Sequence, residues 1–264
     1  MNYLICIDLE GCAGVHGAPA DVLNNAGDYR FACEQAAREG AAAARALFDN
    51  GAERVVVWDN HSCGSNLSYD LFPDACEFLN GTMRIRRFSF LEKVHIDAAL
   101  FVGYHSRDNT AEAVIAHTYS SMRYQYIKVN GAERGEIELD AYLLGEYGVP
   151  VVFVASDDKA CAQARAFLPS CRVVETKQAL AFNASLFRHP RRVAEAIYEG
   201  AAETAKAFAA NRADFPVATC AEPLDVEMRF KRLEYAQDAE REGFERFEPY
   251  CVRQRFEKLR DFRF

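Results

Sequence analysis

Short apolar runs alternate with longer stretches of helical periodicity along most of the chain, which is the pattern of an α/β protein. The short runs are rich in β-branched residues, as is typical of strands buried on both faces of a largely parallel sheet. They predict strands at Leu4–Asp8, Arg54–Trp58, Met83–Arg86, Ala98–Gly103, Tyr126–Val129, Val151–Val154 and Arg172–Glu175.

Between these runs, apolar residues recur three and four positions apart, which predicts helices that flank the sheet. Glycine or proline stands close after several of these segments, where a helix is expected to end. The predicted helices are Tyr29–Asn50, Gly135–Tyr147, Lys159–Phe167 and Arg191–Ala209. We therefore expect one α/β domain over residues 1–211.

The pattern changes after Phe215. Apolar and polar residues alternate strictly in LDVEMRF (224–230), and YCVRQRF (250–256) repeats this alternation more loosely. Alternation with a period of two predicts antiparallel strands that have one solvated face. We expect residues 212–264 to form a smaller α+β portion, either as a subdomain or as an arm that packs on a neighbouring subunit of a homo-oligomer.

Composition narrows the class of protein. Half of the residues are hydrophobic and 27% are charged, which is ordinary globular usage. The sequence shows neither a leader peptide nor an apolar stretch long enough to span a membrane, so we expect a soluble, cytoplasmic protein with no membrane partner. The net charge of −8 and the scattered basic residues argue against a nucleic-acid partner. Nine cysteines without a C-x-x-C pair argue against a disulfide framework or a zinc ribbon.

Carboxylates and imidazoles follow the predicted strands at their carboxyl ends, where open α/β sheets bind ligands. Asp8 and Glu10 are two residues apart, so on extended backbone their side chains leave the same face. Two carboxylates in that position repel each other unless a cation lies between them. A divalent cation would answer this need, and other elements supply further ligand types: Asp59 and His61, His105, His117, and Glu136.

Each of these residues also has a purely structural interpretation. A carboxylate at a strand end often caps the next helix, and a lone histidine in an apolar strand is more often a hydrogen-bonded core residue. The glycines of EGCAGVHG (10–17) are spaced G-x-x-G-x-x-G, which disfavours a dinucleotide-binding turn. Three histidines lie in less constrained contexts, and we assign no function to them: His16, His95 and His189.

Several spaced motifs resemble the zinc-dependent D-aminopeptidase family of the DppA type, peptidase family M55. They occur in the family's order as IDLEG, WDNHS, GYHS, the Ala116–His117 pair and GEIELDAYLLGEYGVPVVFVASDD. The resemblance extends from residue 1 to about residue 177 and becomes general after residue 215.

The resemblance implies a site with two Zn²⁺ ions per subunit, and it assigns the metal ligands to Asp8, Glu10, His61, His105 and Glu136. It further implies that Asp8 bridges the two ions and that His117 is the catalytic histidine. It also implies an α/β fold, a decamer whose active sites face an inner channel, and substrates that are short peptides with D-amino acids, such as D-Ala-D-Ala.

Two neighbouring divalent ions can activate a water and polarise a carbonyl, so we predict hydrolysis of an amide. His117 would then assist proton transfer, stabilise the oxyanion or act directly as a nucleophile, and the sequence does not separate these roles. One alternative is another dinuclear hydrolase that acts on cyclic amides or phosphoesters, although Arg107 is the one evident basic residue for a phosphate. A second alternative is a non-catalytic metal-binding assembly protein, against which the presence of His117 beside five apparent ligands argues.

Overall fold

The computed structural model of the protein describes residues 1–17, 26–81 and 86–262. Its strands are β1 (Asn2–Ile7), β2 (Arg54–Asp59), β3 (Glu77–Leu79), β4 (Ala98–Tyr104), β5 (Tyr124–Val129), β6 (Ala132–Glu133), β7 (Val151–Asp157), β8 (Arg172–Ala181), β9 (Ala184–Phe187), β10 (Leu224–Phe230), β11 (Glu245–Glu248) and β12 (Cys251–Phe256). Its α-helices are α1 (Ala26–Asp49), α2 (Glu136–Gly145), α3 (Asp158–Phe167), α4 (Pro190–Ala210) and α5 (Leu233–Arg241).

The larger sheet has the strand order β3-β2-β1-β4-β7-β8-β9. All neighbouring strands in it are parallel except β9, which returns antiparallel to β8. Helices α1 and α4 pack on one face, and α2, α3 and a second sheet cover the other. Because both faces are covered, β1 and β4 are apolar along nearly their whole length, as the sequence pattern predicts.

The second sheet is antiparallel and has the order β11-β12-β10-β5-β6. It joins two strands from the first half of the chain to the strands after residue 215. The alternation in β10 is confirmed, since Leu224, Val226, Met228 and Phe230 are buried in the chain's own core. A division into domains at residue 212 stays a prediction, and the β5–β10 pairing lies across that boundary.

The predicted helices are confirmed to within a few residues at each end, but several strands differ from the predictions. Most of the predicted strand Met83–Arg86 lies outside the described residues, and Arg86 itself has a φ of 55°. The strand that pairs with β2 is instead β3, a three-residue edge strand whose side chains are largely exposed. The predicted strand Tyr126–Val129 exists, but as part of β5 it belongs to the antiparallel sheet.

Four further elements were not predicted: the short strands β6 and β11, strand β9 and helix α5. Helix α5 lies in a strongly charged stretch and buries only small side chains, Ala236 and Ala239, so few large apolar residues mark it in the sequence. Strand β9 carries exposed apolar residues and forms a hairpin with the second half of β8. No helix within the three described segments has the length and apolar character needed to cross a membrane.

The strand order brings the carboxyl ends of β2, β1 and β4 side by side. Two glycines allow the loop after β1 to approach β4 closely, with the amide of Gly11 donating to the carbonyl oxygen of Gly103 at 2.7 Å. A Cβ at Gly11 would lie 1.8 Å from the carbonyl oxygen of Tyr104, and one at Gly103 would lie 2.1 Å from that of Asp8. This close approach is what places the residues after β1 against the end of β4.

Candidate metal centre

The residues that the sequence analysis singles out for metal binding and catalysis lie together at one end of the larger sheet. Their positions follow from the strand order: Asp8 and Glu10 after β1, His61 after β2, His105 after β4, His117 in the loop between β4 and β5, and Glu136 as the first residue of α2. All are buried except His61, which is partly exposed. The structure therefore brings these six residues together, whereas Asp59, the other candidate at a strand end, lies apart from them.

The ligand atoms of these side chains form two overlapping groups. The oxygen and nitrogen atoms of Asp8, Glu10 and His105 lie within 4.8 Å of one another, and so do those of His105, His117 and Glu136. Nε2 of His105 is 3.5 Å from Oδ2 of Asp8 and 3.1 Å from Oε1 of Glu136. Nε2 of His61 is 3.1 Å from Oε1 of Glu10. His105 thus stands between the two groups.

Several polar atoms in this cluster are buried without a hydrogen-bond partner among the described residues: Oε2 of Glu10, Nδ1 of His61 and Nε2 of His105. Nε2 of His105 lies 3.1 Å from Oε1 of Glu136 but outside hydrogen-bond geometry. A buried polar atom that has no partner costs about 1–3 kcal/mol. Three carboxylates with imidazoles around such atoms fit the donor preferences of zinc, so a zinc site suits the residues present.

The pKa shifts reflect carboxylates and imidazoles crowded in a buried space. Burial raises the pKa of Asp8 well above its usual range, and the charge of Glu10 adds to the increase. Burial lowers the pKa of the histidines, but nearby carboxylates outweigh it: Glu10 helps to raise the pKa of His61 to about 9, and Glu136 that of His105 to about 10. The negative charge of the buried carboxylates therefore has to be balanced by positive charge. Protons on the carboxyl and imidazole groups supply it when no metal is bound, and zinc ions would supply it in a zinc site.

His117 differs from the other histidines in its electrostatic surroundings. Burial and the neighbouring His105 lower its pKa, so the ring is neutral at pH 7. Its Nδ1 donates to the carbonyl oxygen of Ile115 at 2.7 Å, which leaves Nε2 with the lone pair. The ring stacks on that of His105, with centroids 3.9 Å apart and planes at 12°. A neutral imidazole held in one tautomer beside the cluster is suited to proton transfer.

Comparison with known proteins identifies the family of this chain. The family model of peptidase M55, described as D-aminopeptidase, matches residues 1–263. The chain belongs to this D-aminopeptidase family. The D-aminopeptidase of Bacillus subtilis (strain 168) is 29% identical over 188 residues, which cover 70% of this chain and 66% of the relative.

Among solved structures, the chain matches the Zn-dependent D-aminopeptidase DppA from Bacillus subtilis, described as a self-compartmentalizing protease, with a TM-score of 0.87. The match covers 99% of this chain and 93% of that chain at 24% identity, so it concerns the fold. The family model confirms the predicted family, and this structural match confirms the predicted fold class.

In this member of the D-aminopeptidase family, Asp59 orders a loop instead of joining the cluster. Its carboxylate accepts from the side-chain amide of Asn66 at 2.8 Å and from the backbone amide of Leu67 at 3.2 Å. Asn66 in turn donates to the carbonyl oxygen of His61 at 2.8 Å. Asp59 therefore fixes the loop that carries His61.

Sequence reasoning missed Lys177, which holds the loop that carries Glu10. This lysine is buried, and its ammonium donates to the carbonyl oxygens of Glu10, of Cys12 at 3.0 Å and of Val15 at 2.6 Å. Thr176 adds a bond to the carbonyl oxygen of Gly11 at 2.5 Å. A lysine inside a strand pattern could have signalled this role, but its partners are more than 160 residues away in sequence.

Replacing Lys177 by methionine should destabilise the protein, because three buried carbonyl oxygens would lose a charged donor. We expect the free energy of unfolding to fall by about 3 kcal/mol or more, since hydrogen bonds to charged groups contribute about 1.5–3 kcal/mol each. Urea unfolding measures this change.

The matched control is Lys128→Met. Lys128 pairs with Glu227 at 3.1 Å in a partly exposed position, and loss of such a pair costs at most about 1 kcal/mol. Equal losses in the two variants would show that the three bonds of Lys177 do not hold the loop.

Proposed function

We propose that this chain is a dinuclear zinc aminopeptidase that hydrolyses short peptides with an N-terminal D-amino acid, of the D-Ala-D-Ala type. The observation that carries the proposal is the pair of buried, overlapping ligand groups that share His105. The D-aminopeptidase family supplies the reaction class, and the Bacillus subtilis relatives support both zinc and D-peptide substrates.

Five side chains would hold two Zn²⁺ ions: Asp8, Glu10, His61, His105 and Glu136. In this assignment Asp8, at the end of β1 beside Glu10 and His105, would help to hold both ions. Zinc, when bound, supplies polarisation of the scissile carbonyl and a lowered pKa for the attacking water. The chain itself contributes a buried group of side chains, in which several polar atoms have no hydrogen-bond partner among the described residues and are available to bind such ions.

His117 is the proposed catalytic residue. Its Nε2 accepts the proton of the attacking water and returns it to the departing amine, so that the same atom acts as base and then as acid. The hydrogen bond from Nδ1 to Ile115 holds the ring in the required tautomer, and the stack on His105 holds its orientation. The lowered pKa keeps the ring in its base form near neutral pH.

A panel of L-, D- and mixed dipeptides, with p-nitrophenyl phosphate as a control, tests the proposal on protein of known zinc content. We expect release of the N-terminal D-residue, no cleavage of the phosphate ester, and loss of activity on chelation. Cleavage of the phosphate ester without dipeptide cleavage would favour another dinuclear hydrolase. Bound zinc without any hydrolysis would favour an assembly protein.

We also propose a homo-oligomer, a decamer that encloses its active sites, to which the segment after Phe215 contributes contacts. The self-compartmentalizing relative supports this assembly. Since the apolar face of β10 is covered within the chain, the contacts would come from exposed residues such as Phe247 and Tyr250. Light scattering should give the mass of ten chains of 29.6 kDa; a monomer at micromolar concentration would contradict it. A cytoplasmic location stays a prediction.

A further inference from the structure

Asp140 is the centre of a buried hydrogen-bond network behind the cluster. Its carboxylate is fully buried and accepts two bonds from Arg87, at 2.6 Å from Nε and 2.7 Å from Nη2. The hydroxyl of Tyr104 donates to it at 2.7 Å, and that of Tyr119 at 2.8 Å. These four bonds occupy the acceptor sites of the carboxylate, so the Asp140 side chain is held in one position.

The partners of Asp140 are close in sequence to residues of the cluster. Tyr104 directly precedes His105, and Asn60, which directly precedes His61, donates to the Tyr104 hydroxyl at 2.6 Å and accepts from Arg87 at 2.6 Å. We call Asp140, Arg87, Asn60, Tyr104 and Tyr119 the Asp140 network.

The network also reaches Glu136 and the loop that carries His117. The backbone amide of Tyr119 donates to Oε1 of Glu136 at 2.6 Å, and Tyr119 lies two residues after His117. Asp140 itself is one turn after Glu136 on α2, so the two side chains share one side of the helix. Three elements that carry cluster residues therefore meet at the Asp140 carboxylate, and the segment that carries His61 is linked to it through Asn60.

Burial of the Arg87–Asp140 pair costs desolvation free energy, so a gain in stability does not by itself explain why the pair is there. Both groups lose hydration on burial, and replacement of such a pair by apolar side chains of similar volume is often neutral or stabilising. Arg87 is further fixed by the rings of Trp58 and Tyr119, whose centroids lie 4.9 Å and 5.1 Å from its guanidinium carbon. A pair held so closely favours one arrangement of the surrounding chain over others.

We propose that Asp140 is a positioning residue, which sets the spacing of the cluster residues through the backbone next to them. The inference rests on the proposed function, since it assigns the network a role in zinc binding and catalysis. Functional side chains must be held to about 0.5 Å, and partners of metal ligands typically contribute 10- to 100-fold to metal affinity or activity.

The test compares Asp140→Asn with a core variant of the second sheet, Val226→Ala, which should lower thermal stability through the loss of buried methyl groups and removes no hydrogen bond of the network. The asparagine cannot accept all four bonds, so we expect the Kd for zinc to rise about 10- to 100-fold and kcat to fall about 10-fold, with KM little changed. In metal-free protein, hydrogen exchange should become faster over residues 104–119. Val226→Ala should show none of these changes.

Equal zinc affinity, kcat and exchange in Asp140→Asn and Val226→Ala would overturn the proposal and leave Asp140 a purely structural role. If Asp140→Asn does not fold, Tyr119→Phe removes a single hydroxyl and is judged by the same three measurements, with smaller changes in the same direction expected. Absence of zinc binding and peptidase activity in the unmodified protein would refute the proposed function, whereas exchange in the metal-free variants would still decide whether the network positions residues 104–119.

Discussion

His117→Ala is expected to keep its zinc and its thermal stability while kcat falls by roughly 10²-fold or more, as for loss of a group that transfers a proton. The ring makes one hydrogen bond, to the carbonyl oxygen of Ile115, and stacks on His105. Its removal leaves the proposed ligands Asp8, Glu10 and Glu136 in place. The lost function would be the acid–base role of Nε2.

The experiment measures zinc stoichiometry and kcat on the same preparation. His117 belongs to one of the two ligand groups, so a ligand role would instead lower the zinc content. His95→Ala is the control, because His95 is 77% exposed and pairs with Asp97 away from the cluster. Full metal content together with full activity in His117→Ala would remove His117 from the mechanism.

His105→Ala should lose both bound zinc and peptidase activity, which distinguishes it from His117→Ala. His105 contributes to both ligand groups, and its Nε2 is buried without a hydrogen bond. Loss of a metal ligand should lower zinc affinity more than loss of a residue that only hydrogen-bonds to a ligand. We therefore expect zinc affinity to fall by more than about 10²-fold. Activity should fall in parallel with the metal content.

His61→Ala refines this prediction. His61 lies 3.1 Å from Glu10 and belongs to neither ligand group, so its loss should weaken zinc binding less than loss of the shared His105. Titration with zinc, followed by metal analysis and kcat for each variant, ranks the two histidines. Zinc content that stays at the level of the unmodified protein in His105→Ala would show that His105 is not a ligand.

Much of the fold was predictable because it follows from local patterns. The strand at Leu4–Asp8 and the helix at Tyr29–Asn50 are each defined by their own apolar periodicity, and both are confirmed to within a few residues. Prediction failed where an element is very short or buries no large side chain: β3 has three residues, and α5 buries alanines alone.

The members of the site were predictable for a related reason. Parallel strands end at a common edge, so Asp8 after β1 and His105 after β4 could be expected to meet once the sheet was predicted. Their roles as ligands came from the resemblance to the D-aminopeptidase family and stay a proposal.

By itself, the sequence determined the α/β class, the elements with strong periodicity, and the set of carboxylates and imidazoles at the strand ends. Only the tertiary structure decided that β5 pairs with β10, that His105 stands in both ligand groups, and that Lys177 and Asp140 hold the surrounding backbone. The physical reason is that periodicity records which side of an element is buried. Hydrogen bonds such as that from Lys177 to Val15 join residues whose separation in the chain carries no local signal, so their partners are known only from the folded arrangement.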